Sequence, residues 1–225
     1  MLGFNYARAD LFKMERFIYD FVAQNTQYSR STNKKPENHS ILGPLLYGSS
    51  VCEGYAKAFK YLCDAAALPC IVVGGSSVGP KGNVERHSWN IVRVKNDYYQ
   101  VDVTWDSIIC AEDIENLEYY NLSDDEMKKD HTWNTRLLPR CDKTFTDTPF
   151  ISGKNELKNL IYACLSQGRR CLSVRFKTHP SKESDIIRLV SKLIDQAPSQ
   201  IRSKASGIEI RYNKTQNKAV IYFES

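Results

Sequence analysis

The chain has no apolar run long enough to cross a bilayer, so no stretch of it reads as a membrane span. It also has no Cys-x-x-Cys pair. Its seven cysteines, Cys52, Cys63, Cys70, Cys110, Cys141, Cys164 and Cys171, are odd in number and irregularly spaced. That pattern argues against a disulfide framework and against a zinc site, and it points to a reducing compartment. Basic residues do not gather into blocks beyond Lys34-Lys35 and Arg169-Arg170. The net charge of +5, from 31 basic and 26 acidic side chains, therefore reads as scattered solvated lysine and arginine rather than a nucleic-acid footprint. The first ten residues, Met-Leu-Gly-Phe-Asn-Tyr-Ala-Arg-Ala-Asp, lack the basic-then-apolar order of a signal peptide, so the expected location is cytoplasmic. No motif asks for a cofactor or a metal. What remains is 225 residues, 42% hydrophobic and 25% charged, enough for one large domain or two small ones.

Residues 48 to 59 read Gly-Ser-Ser-Val-Cys-Glu-Gly-Tyr-Ala-Lys-Ala-Phe. Ser50 and Glu53 have the spacing of a capping box, and Val51, Tyr55, Ala58, Phe59 and Leu62 then recur at helical period. A helix is expected from there to about Ala66, before Pro69. Cys52 falls in its first turn, where free backbone N–H groups and the positive end of the helix dipole favour a thiolate nucleophile. Gly54 is a poor helix former, which implies that another group approaches the backbone there.

Two alternating stretches follow, His87 to Lys95 and Tyr98 to Trp105. They read as two strands joined by a tight turn around Lys95-Asn96-Asp97. With Lys95 and Asn96 in the turn, His87 lies opposite Thr104, and Asp102 is its diagonal neighbour on one face. With Asn96 and Asp97 in the turn, Asp106 lies opposite His87 instead. Either register places a cysteine at a helix N-terminus, a histidine on a strand and an acid beside it, which is the constellation of an activated thiol nucleophile.

The stretches Cys52-Glu-Gly-Tyr-Ala56, His87-Ser-Trp-Asn90 and Tyr99-Gln-Val-Asp-Val-Thr-Trp-Asp106 resemble the bacterial branch of the transglutaminase-like superfamily. Ile41 to Gly48 and Tyr120 to His131 fit the same branch, so the resemblance covers residues 11 to 141. It implies a papain-like core with a Cys–His–Asp triad. Carried over residue by residue, Cys52 is the nucleophile, His87 the base and Asp102 the orienting acid. Ser88 stands where the family usually has alanine. The superfamily includes amide crosslinkers, peptidases, deamidases and members without activity. The expected substrate is therefore a peptide or protein amide, with a catalytically silent peptide-binding module as the alternative.

The rest of the chain supports an α+β fold. Asp10 caps a first helix with Leu11, Met14, Phe17, Ile18, Phe21 and Val22 on its inner face. Residues 26 to 40 read as a polar loop carrying a surface histidine, His39. Cys70 to Gly74 is a short buried strand, and residues 75 to 86, with three glycines and a proline, read as a flexible rim before His87. That polar rim favours water over an amine as acyl acceptor, hence hydrolysis over crosslinking. Trp89 and Trp105 are expected in the core or cleft wall. The oxyanion hole would take the Cys52 amide and a second donor such as Tyr47, Tyr55 or another amide. Residues 113 to 131 read as irregular helix, with His131 in a structural role. Periodicity lapses at 143 to 149, which divides the chain into a catalytic core, 1–146, expected as N-terminal helices plus an antiparallel sheet, and a small C-terminal α+β module, 147–225, of α-β-α-β-β order with no chemical motif.

Overall fold

The apolar spacing after Asp10 forms α1, Leu11–Asn25, in the computed structural model, which describes residues 10–30, 35–79, 82–109, 118–145, 148–178, 180 and 182–224. The helix is turned from its expected face. Ile18 and Val22 are buried, but so are Glu15 and Tyr19, while Phe17 and Phe21 stand exposed. Buried hydrogen bonds account for the rotation. Tyr19 donates its hydroxyl to the Asp106 carboxylate and lies 3.3 Å from the Asp102 carbonyl, while Glu15 accepts from Tyr120 and Asn121 at 3.0 and 2.9 Å. Polar partners committed in the interior cost more to leave unpaired than two phenyl rings cost to expose.

The expected loop at 26 to 40 contains regular structure. Strand β1, Gln27–Tyr28, runs parallel to β2, Ser49–Ser50. Between them lie a 3-10 turn at Pro36–His39 and a single wide turn at Gly43–Tyr47 that closes on Gly48 in the left-handed conformation, φ 62°.

Helix α2, Cys52–Ala65, begins one residue later than a Ser50 cap would place it. Its N-cap is Val51, which offers no side-chain cap. Ser50 instead donates its hydroxyl to the Asn38 carbonyl at 2.7 Å, so the capping-box reading is overturned. Glu53 turns to His39 and Lys57, at 2.9 and 2.6 Å. His39 is thereby half-buried rather than free on the surface. Gly54 marks a close approach, as its sequence position implied: a Cβ there would sit 2.5 Å from the Asn38 carbonyl and 2.9 Å from that of Ser40.

The residues expected as a flexible rim are mostly strand. β3, Cys70–Val78, and β4, Val84–Val94, pair antiparallel from Cys70↔Val92 to Val78↔Val84. The glycines that suggested a loop serve packing here. A Cβ on Gly75 would lie 2.2 Å from the Thr132 carbonyl and 2.7 Å from the Trp89 ring, so its absence lets Trp89 cross the strand. β4 turns through Lys95 and Asn96 into β5, Asp97–Val101, with Val94↔Asp97 as the closing pair. The hairpin thus takes the first of the two possible registers, with Lys95 at φ 57°. The second strand ends sooner than its alternation implied, because Val103–Ile109 is a helix, α3. Residues 110 to 117 lie outside the described residues. Beyond them, the expected irregular helix is one turn, α4 at Asp124–Met127, followed by β6, His131–Trp133. The sheet order is β5-β4-β3-β6, all antiparallel. Helix α2 lies against α1 and β4, and Tyr55, Phe59 and Cys63 join Ile18, Val22, Val92 and Val101 in one core.

Contacts divide the chain into two compact units, Met1–Thr146 and Asp147–Ser225. The second holds β7, Phe150–Ile151; α5, Lys154–Ser166; β8, Cys171–Phe176; α6, Glu183–Asp195; α7, Ser199–Arg202; β9, Gly207–Asn213; and β10, Lys218–Glu224. Its sheet, ordered β7-β8-β10-β9, is antiparallel except for the parallel pair β7–β8. β7 and α7 are additions to the expected order. Both are too short to carry a periodic signal. Leu157, Ile161, Val190, Leu193, Ile210 and Ile221 lie in its core.

Candidate active site

Three local devices bring Cys52, His87 and Asp102 together. Cys52 is the first residue of α2 and is partly exposed. His87 is the fourth residue of β4, and α2 is tied to that strand by Asn90, whose side-chain amide donates to the Ala56 carbonyl at 3.0 Å and to that of Ile71 at 3.3 Å. Asp102 sits at the joint between β5 and α3. Its Oδ1 accepts from the amides of Thr104 and Trp105 at 3.0 and 3.1 Å, as a helix N-cap does. One carboxylate oxygen therefore fixes the side chain, and the other is left for imidazole.

That other oxygen, Oδ2, lies 2.6 Å from His87 Nε2. Nδ1 remains for the thiol, and the Cys52 side chain hydrogen-bonds the ring. Burial pushes the proton affinity of His87 down, but the charge and hydrogen bond of Asp102, together with Cys52, outweigh it and lift the pKa to about 10. Burial likewise pushes Asp102 up, but the charge of His87 and hydrogen bonds from His131 and His87 hold its carboxyl well below the usual range. At neutral pH this geometry favours an imidazolium beside the sulfur.

Asp106, the other acid on the candidate face, has a different task. Its Oδ1 accepts from the amides of Glu118 and Tyr119 at 2.8 and 3.1 Å, and its Oδ2 accepts from Tyr19. It closes the segment before α4 onto α1 and α3. The tyrosines offered as second oxyanion donors fare differently. Tyr55 commits its hydroxyl to the Thr26 carbonyl at 2.6 Å and is removed from the candidates, while Tyr47 is mostly exposed.

The sequence reading gave His131 a packing role. In the structure, His131 is fully buried, with Nε2 3.2 Å from Asp102 Oδ2 and Nδ1 2.6 Å from Asp130 Oδ1. Tyr119 donates to the other Asp130 oxygen at 2.7 Å. Trp89 and Trp105 wall this network, with ring centroids 4.9 and 4.8 Å from that of His131. The signal available in sequence was the Asp130-His131 pair next to a short alternating run, which is too brief to separate from a turn. Among the described residues, His87, Asp102 and His131 are the group whose ligand atoms all fall within 4.8 Å. A nitrogen 2.6 Å from a carboxylate oxygen is too close for both to ligate zinc at about 2.0–2.1 Å in tetrahedral geometry. The spacing fits protons shared between the atoms, and we read the cluster as hydrogen-bonded.

Residues 5–103, which include Cys52, His87 and Asp102, match the family model described as the transglutaminase-like superfamily. This stretch belongs to the transglutaminase-like superfamily. This segment holds helices, the antiparallel strands β3, β4 and β5 and the parallel pair β1–β2, with Cys52 at a helix start. Solved structures similar to this chain include a protein from Cytophaga hutchinsonii described as a candidate cysteine protease, at 17% identity and a TM-score of 0.32. Another is a TGase, at 15% identity and a TM-score of 0.33. Each likeness covers 42% of this chain, and 30% and 31% of the other, so the chain spans under a third of either protein. No curated protein matches the chain. Among the described residues, no helix is long and apolar enough to cross a membrane.

Proposed function

We propose that this transglutaminase-like protein transfers acyl groups from a peptide or protein amide through Cys52, His87 and Asp102, with water as the usual acceptor. The observation that carries the reading is the 2.6 Å bond from His87 Nε2 to a carboxylate that is itself fixed as a helix cap. It leaves His87 one orientation, with its other nitrogen toward the Cys52 thiol.

In this reading the Cys52 thiolate attacks the amide carbonyl carbon. The developing oxyanion meets the backbone N–H of Cys52, at the start of α2, where first-turn amides have no acceptor within the helix. The tetrahedral intermediate collapses, the C–N bond breaks, and imidazolium His87 passes its proton to the leaving nitrogen. The amine departs, and a thioester remains on Cys52. Neutral His87 then takes a proton from water as the water oxygen attacks the thioester carbonyl, which releases the carboxylic acid and restores the thiolate–imidazolium pair. Asp102 stabilises the imidazolium in both halves and is not itself protonated. The preference for water rests on the outer end of the β3–β4 hairpin, where Val84, Glu85 and Arg86 all face solvent just before His87. An acceptor amine needs a surface that holds it and keeps water back.

The test is mass analysis of products from an accepted peptide amide, with and without a millimolar primary amine. The free acid should dominate in both. A dominant amine adduct at modest amine concentration would overturn the hydrolytic preference and leave the thiol mechanism standing. No thioester and no product from any amide, with Cys52 intact, would favour the silent binding module.

A further inference from the structure

We propose that His131 is a positioning residue for this reaction: an imidazolium clamped between Asp102 and Asp130, it gives Asp102 a second fixed donor, and its charge offsets that of Asp130 so that this buried acid does not shift the pH range in which Cys52 and His87 react. The proposal rests on the reading of Cys52, His87 and Asp102 given above.

The argument begins with donors and acceptors. His131 Nε2 faces Asp102 Oδ2 at 3.2 Å, and Nδ1 faces Asp130 Oδ1 at 2.6 Å. An ionised carboxylate only accepts, so both ring nitrogens must donate, and only the imidazolium carries two N–H groups. The ring is fully buried, a place where a cation persists only if paired. Two acids pair it. Burial alone would strip its proton, but hydrogen bonds to Asp102 and Asp130 reverse that and raise its pKa. A histidine that merely filled space would need neither acid.

The groups facing His131 come from several elements. Asp130 precedes it in the chain, and Asp102 reaches it from the β5–α3 joint. His87 on β4 has its ring centroid 5.4 Å away. Tyr119 lies 5.6 Å away and donates to Asp130, and Ser77 on β3 is the register partner of His131. Trp89 and Trp105 fill the remaining sides. The charges alternate along the chain of contacts: Asp130 negative, His131 positive, Asp102 negative, His87 positive, with the Cys52 side chain against His87. Asp130 and His131 together add no net charge. They hold Asp102 still while leaving the electrostatic balance of the reacting pair unchanged. Removing the cation alone would leave an uncompensated negative charge beside His87.

The experiment is the rate of Cys52 alkylation by iodoacetamide between pH 5 and pH 10, on the full chain. Wild type is compared with His131→Gln, with Asp130→Asn/His131→Gln and with His87→Ala. The glutamine amide keeps a donor near Asp102 without the charge. The extra negative charge should move the midpoint of the profile up by about one pH unit. Adding Asp130→Asn removes that charge and should return the midpoint to within about 0.3 unit of wild type. A His131→Gln profile that overlays wild type, or a double variant displaced as far as the single one, overturns the proposal. If His87→Ala leaves the Cys52 profile unchanged, the underlying site reading fails instead. Should the variants not fold, wild-type protein with ¹⁵N-labelled histidine decides. His131, assigned by replacing His39, His87 and His179 in turn, should show two protonated ring nitrogens at neutral pH. A single protonated nitrogen at neutral pH overturns the proposal.

Discussion

In the N-terminal unit the interior holds Glu15, His87, Asp102, Asp106, Asp130 and His131. In the C-terminal unit the buried polar side chains among the described residues are Arg175, Gln216, Asn217 and Lys218, with no carboxylate or imidazole. The rest of its core is aliphatic and aromatic, with a buried cysteine, Cys164. Each unit thus has an apolar core sufficient for a small fold, but only the first has also buried acids and imidazoles and arranged them in contact. Burying such groups costs free energy unless each finds its partners. A fold that needed only stability would gain little from them, and the contact of His87, Asp102, Asp130 and His131 is what supports the proposed site.

The largest expected effect breaks the comparison outright. Cys52→Ala should abolish amide turnover, while Cys171→Ala, which removes the partly exposed cysteine of the other unit, should leave it unchanged. Product formation by mass spectrometry distinguishes the two, and equal losses would mean that the chemistry is not confined to the first unit.

The next effect sharpens the contrast within the first unit, between two buried aspartates four residues apart. Asp102→Asn can keep its cap to Thr104 and Trp105, but it turns an N–H₂ group toward two imidazole nitrogens. Turnover should fall by about tenfold or more, since a misheld imidazole is a poor base. Asp106→Asn should instead act on stability, lowering it by about 1–3 kcal/mol through the amides of Glu118 and Tyr119, with a smaller effect on rate. Thermal melts and kinetics on both variants check this. A larger rate loss from Asp106→Asn would reverse the assignment.

Much of this arrangement is legible in the sequence alone, and what is not has physical causes. Helical spacing placed Cys52 correctly, because a long apolar face leaves little choice of register. The hairpin is legible up to Val101 with two registers open, and the turn through Lys95 and Asn96 selects the first. Its far end is not. Alternation in Asp102 to Trp105 is also what a helix start gives when an aspartate caps its own following amides. The capping box failed for a similar reason: Ser50 found a carbonyl from 12 residues earlier, which local spacing cannot foresee. Gly75 looked like loop and was packing space for Trp89. His131 was the costliest omission, since its meaning lies in Asp102, 29 residues away.

A smaller effect tests whether the units are independent. Residues 1–146 expressed alone should fold, and Cys52 should be alkylated within about twofold of the full-chain rate, because every partner of the site that we describe lies before residue 147. A folded but inert Cys52 would show that the second unit completes the site.

The smallest effect concerns the buried acid outside the site. Burial raises Glu15 from 4.5 to about 7, against hydrogen bonds from Asn121 and Tyr120. Its folded pKa lies above its unfolded one, so folding takes up a proton between those values. The stability it contributes is fully present below about pH 4.5 and is lost as pH rises through about 7. The raised pKa of His87 acts in the same direction, but between about 6.5 and 10. Glu15→Gln should therefore flatten the fall in stability between pH 5 and pH 6.5, a change on the order of 1–2 kcal/mol. Denaturant melts at the two pH values read it, and an unchanged slope would place that titration elsewhere.

The central claim is that Cys52 is activated by His87, and brief alkylation with limiting iodoacetamide at pH 7 tests it most directly, with peptide mapping of all seven cysteines. Cys52 should be labelled first and fastest in wild type and should slow by about tenfold or more in His87→Ala, while the other six keep their rates. Preferential labelling of another cysteine, or a Cys52 rate indifferent to His87→Ala, would contradict the account.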